Sequence, residues 1–65
     1  MFSLEESKRI MIETPEIINL LENDLAMAKD VSLSVHAIEA IEGLIHRHKS
    51  RITEAELSLK FIDYQ

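Results

Sequence analysis

Six consecutive residues, His46-Arg47-His48-Lys49-Ser50-Arg51, gather nearly half of the chain's positive charge. They carry three of the chain's seven Lys and Arg residues in a protein of formal net charge −5. Such a cluster can serve an anion: a phosphate, a nucleic acid or an acidic partner. His46, Arg47, Lys49 and Arg51 are therefore the candidate anion or partner contacts. The acidic remainder of the chain would repel phosphate, and a nucleic-acid binder normally shows a wider basic footprint.

A second group, His36, Glu39, Glu42 and His46, lies roughly along one helical face and pairs imidazole with carboxylate. It lacks the Glu-x-x-His step of di-iron helical bundles, so no metal site is expected. Adjacent acids such as Glu5/Glu6 and Glu54/Glu56 sit where helix starts favour negative charge, which is sufficient reason for them. With no cysteine there is no thiol nucleophile, disulfide or zinc finger. There is no Gly-rich phosphate loop and no Ser/His/Asp arrangement, and 65 residues leave little room for a substrate pocket. No catalytic residue, cofactor or enzymatic activity is expected.

The elements that must position these side chains are helical. One Gly and one Pro cannot punctuate a small β-barrel. No apolar run is long enough for a membrane span, and the acidic start does not suit an export signal, so a cytoplasmic protein with no membrane partner is expected. Ser3-Leu4-Glu5-Glu6 has the form of a capping box and predicts a helix from Leu4. Thr14-Pro15-Glu16 reads as a stop and a fresh start, with Thr14 as N-cap and Pro15 at the first helical position. A short helix 1 is thus expected to end near Glu13 and helix 2 to begin at Pro15. Helix 2 carries Ile17, Ile18, Leu21, Leu25 and Ala28, with Leu20, Ala26 and Met27 widening that face. Asp30 to Ser34 reads as a turn, with Ser32 or Ser34 capping the next helix.

Helix 3 holds the most regular pattern. Ile38, Ile41, Ile45, His48, Ile52, Ala55, Leu59 and Ile62 alternate steps of three and four, a heptad a/d series. Thr53 and Glu56 have the form of a capping box and a fresh start, but the unbroken heptad phase favours one continuous helix. Phe2, Phe61 and Tyr64 stand near the termini, where they can close the ends of a bundle or anchor a partner.

The expected architecture is all-α and a single domain over 1–65: a small helical hairpin or bundle with short helix 1 across antiparallel helices 2 and 3. The eight seam residues are expected to join two copies, because so small a domain buries only about 60% of its unfolded surface and self-association is the remaining remedy. In size, acidity and hairpin geometry the chain resembles small dimeric helical regulators such as the plasmid copy-number RNA-binding hairpin proteins. That likeness is architectural, and no residue role comes with it. The expected function is a non-enzymatic acidic regulator, adaptor or inhibitor that binds another protein as a homodimer. The alternatives are a nucleic-acid-binding dimer using residues 46–51 and a chaperone-like hairpin shielding a partner helix.

Overall fold

The structure is a computed structural model that describes residues 1–63. Two long helices, α1 (Leu4–Asp30) and α2 (Val35–Asp63), pack against one another as a hairpin. The molecule is a rod measuring 50 × 17 × 11 Å. No helix of the described residues is long and apolar enough to cross a membrane.

Local signals set the ends. Ser3 caps α1: its Oγ accepts from the Glu6 N–H at 3.2 Å and its hydroxyl donates to Glu6 Oε1 at 3.0 Å. Glu5 and Glu6 place negative charge at the positive end of the helix dipole. Ser34 caps α2, accepting from the Ala37 N–H at 3.2 Å. Between them α1 closes with a Schellman turn. The Ser32 N–H reaches the Lys29 carbonyl and the Leu33 N–H the Ala28 carbonyl, while Ser32 adopts a left-handed φ of 56°.

Two expectations are corrected together. Helices 1 and 2 are one helix of 27 residues, and Pro15 lies inside it. Proline there costs the hydrogen bond to the Met11 carbonyl, and its ring crowds the preceding turn. Set against that cost is a stripe that runs through the proline without losing phase. Ser7, Met11, Thr14, Ile18, Leu21, Leu25 and Ala28 alternate steps of four and three, and all are buried or half-buried. Pro15 itself is exposed, so its ring does not interrupt the packed side. Two of the stripe's members are hydroxyl residues, which conceals the heptad in an apolar count.

The expected continuity of the third helix holds, as α2 runs 29 residues through Thr53. Thr53 Oγ1 donates back to the Lys49 carbonyl at 3.3 Å, the bond of a threonine within a helix rather than of a cap.

The core is thin. The buried hydrophobic side chains are Ile18, Ala28, Ile45 and Ala55, joined by buried Ser7, Thr14 and Ser58. Small residues thus dominate the half of the seam nearest the termini, where they let two backbones approach closely. Ser7 Oγ is buried there without a hydrogen-bond partner. Phe2, half-buried, folds back over this end, and its N–H donates to Ser58 Oγ at 3.2 Å. Phe61 remains exposed, and Tyr64 lies outside the described residues.

Candidate interaction surface

The eight-residue seam of α2 faces inward within the single chain. Ile45 and Ala55 are buried, and Ile38, Ile41, His48, Ile52, Leu59 and Ile62 are half-buried. In a two-helix molecule only α1 can supply that cover. The seam is therefore an intrachain packing surface, and its half-open edges are what two helices alone leave uncovered.

The basic segment does not form one patch. It lies in mid-helix, where successive residues turn about 100° around the axis. Lys49 points to one flank of the hairpin, and its Nζ sits 3.7 Å from Glu22 Oε1 on α1. Both side chains are exposed, so the pair contributes no more than about 1 kcal/mol. His48 lies in the seam, half-buried. Arg47 and Arg51 are one turn apart and about 160–200° from Lys49, which puts them on the opposite flank. Neither has an ion-pair partner among the described residues.

The Lys49–Glu22 contact fixes which edges of the two helices share a side. On that flank an open groove of about 350 Å³ is lined by Glu22, Leu25, Glu42, Ile45, His46 and Lys49. It brings His46 and Lys49 together, as an anion site would, but sets two carboxylates among them. Those acids oppose a phosphate and neutralise the local field. Among the described residues no group of three His, Asp or Glu side chains converges on a metal-binding position. The exposed His36 and Glu39 stay outside the groove.

The other flank is apolar. On α1, Ile17, Leu20 and Met27 stand exposed, the last two at 65%. On α2, Ala40 and Leu44 are exposed beside Arg47, and with Gly43 these line a groove of about 340 Å³. A third groove of about 350 Å³, lined in part by Asp24, Met27, Val31 and Ile41, continues this side toward the turn. The expected core face of helix 2 included Ile17, Leu20, Ala26 and Met27, and all four are exposed. The signal that relocates three of them is the α1 heptad read through Pro15, in which Ile17, Leu20, Asp24, Met27 and Val31 form a second series beside the seam.

Comparison with protein-family models, with curated proteins and with solved structures finds no match to this chain.

Proposed function

We propose that the chain is a non-enzymatic protein-binding module, an acidic regulator or adaptor that works as a homodimer of hairpins. The observation that carries this reading is the imbalance of apolar cover. Among the described residues four hydrophobic side chains are buried, while twelve large ones, Leu20, Met27, Leu44 and Phe61 among them, are exposed. Those gathered on one flank, Ile17, Leu20, Met27 and Leu44, form the kind of contiguous apolar patch that marks an association surface. The total points the same way. The chain exposes 5124 Å², whereas a compact monomer of its mass exposes roughly 4200 Å². The surplus is comparable with one partner's share of a standard protein–protein interface, about 800 Å².

A nucleic-acid reading draws on Arg47 and Arg51 alone. Glu22 and Glu42 beside His46 and Lys49 weigh against it, as does the net charge of −5.

Sedimentation equilibrium at micromolar concentration tests the self-association. The expected mass is about twice 7.5 kDa, with a melting midpoint that rises with protein concentration. A monomer whose melt ignores concentration would sink the dimer. The partner half is tested by capture from host lysate on immobilised protein, against a hairpin of equal charge as control. Capture no better than that control removes the adaptor role.

A further inference from the structure

Resting on the homodimer reading above, we infer that the second copy docks on the apolar flank opposite the Lys49–Glu22 pair, with α1 of each hairpin lying across α2 of the other. The apolar part of this surface is Ile17, Leu20 and Met27 on α1 with Ala40 and Leu44 on α2, all exposed in the single chain. The opposite flank is unsuited to a second copy, because the charged Glu22, Glu42 and Lys49 line its groove.

Charge selects both the occupant and its orientation. On this flank α1 carries acids, Glu13 and Asp24, at heptad positions of the same stripe as Ile17, Leu20 and Met27. The corresponding stripe of α2 carries Arg47 and Arg51, with a single acid, Glu54, one turn beyond them. All five are exposed and have no ion-pair partner among the described residues. Two hairpins can meet by one face with twofold symmetry in two ways. One sets α1 on α1 and α2 on α2, which stacks acid near acid and arginine near arginine. The other sets α1 on the partner's α2 and brings acid to arginine twice, once on each side of the axis. The second arrangement sets opposite charges together at the contact between two chains that each carry a net charge of −5. It also covers the apolar groove of Ala40, Leu44 and Arg47 with side chains of the partner's α1.

Sedimentation equilibrium of the full chain and of three variants tests this, with helicity followed by circular dichroism. Arg47→Glu with Arg51→Glu should raise the dimer dissociation constant roughly tenfold or more, by setting acid against acid. Adding Glu13→Arg and Asp24→Arg to that same chain should restore dimerisation, because the charges are then exchanged on both sides of the contact. Leu20→Glu, at a position 65% exposed in the hairpin, should weaken the dimer while helicity is kept. If the double charge variant loses its fold, the fourfold variant and Leu20→Glu still decide. A wild-type dimer whose affinity is unchanged by Leu20→Glu and by charge reversal overturns this face and leaves self-association standing. A monomeric wild type overturns both. A fourfold variant that folds yet stays monomeric overturns the pairing of α1 with α2.

Discussion

Ser32 holds the left-handed backbone position of the turn at φ 56°. For an L-residue that conformation costs roughly 1–2 kcal/mol, and glycine is the usual occupant of this place in a Schellman turn. Ser32→Gly should therefore stabilise the hairpin, by about 0.5–1 kcal/mol after glycine's greater chain entropy in the unfolded state is set against the relief. A urea titration gives the midpoint shift, and an unchanged or lower midpoint would show that the serine is not strained. Ser7 is the complementary case at the other end of the rod. Its hydroxyl is buried and unpaired where Ala55 is fully buried and Ser58 nearly so. A larger side chain there would hold the helices apart, so the small size of the residue is kept at the expense of an unsatisfied donor.

At the scale of elements, α1 and α2 each contain a residue whose type suggests a helix start but whose position is interior. The two readings predict opposite signs on mutation. If Pro15 opened a helix, Pro15→Ala would be neutral or slightly destabilising. In the interior of α1 the substitution restores the hydrogen bond to the Met11 carbonyl and should stabilise the protein by about 1–3 kcal/mol. Thr53→Ala separates the readings in the same way. Loss of a cap costs about 1 kcal/mol, whereas an interior threonine bonded to the Lys49 carbonyl gives a gain of a few tenths. Thermal melts of the two variants, at one protein concentration, check both helices. A lower midpoint in either would return a helix boundary to that site.

For the whole molecule, stability rests on a seam of few large side chains, so damage there is not absorbed elsewhere. Ile45 is 8% exposed and central in the rod. Ile45→Asp puts an unpaired charge into that seam and should abolish helicity at 25 °C, a loss above about 3 kcal/mol. Glu39 is exposed on the outer side of α2, and Glu39→Ala should change stability by less than about 0.5 kcal/mol. Circular dichroism of the two variants is the check, and equal behaviour would mean that the faces of α2 are wrongly assigned. The candidate site belongs to this scale as well. Arg47 and Arg51 part company with Lys49 only because a continuous helix carries them to the far flank. A loop at the same residues would have let all three converge.

The amino-acid sequence by itself determined the features whose physics is local. The Ser3 hydroxyl accepts from the amide three residues on, as does that of Ser34, one of the two caps that the turn offered, and the chain turns within Asp30 to Ser34 through backbone hydrogen bonds. The heptad of Ile38 to Ile62 follows from spacing on one helix, and so do the all-helical class and the packed face of α2. Only the tertiary structure decided that α1 passes through Pro15. The missing hydrogen bond is a local cost, whereas the continuous stripe from Ser7 to Ala28 contributes only when α2 lies against it. It alone decided that the seam of α2 closes within one chain. A heptad stripe specifies that a helix will cover it but not which helix, since intrachain and interchain partners satisfy the same spacing. The open flank follows from that choice. Once α1 occupies the seam, the side chains left without cover are those that neither helix can turn toward the other.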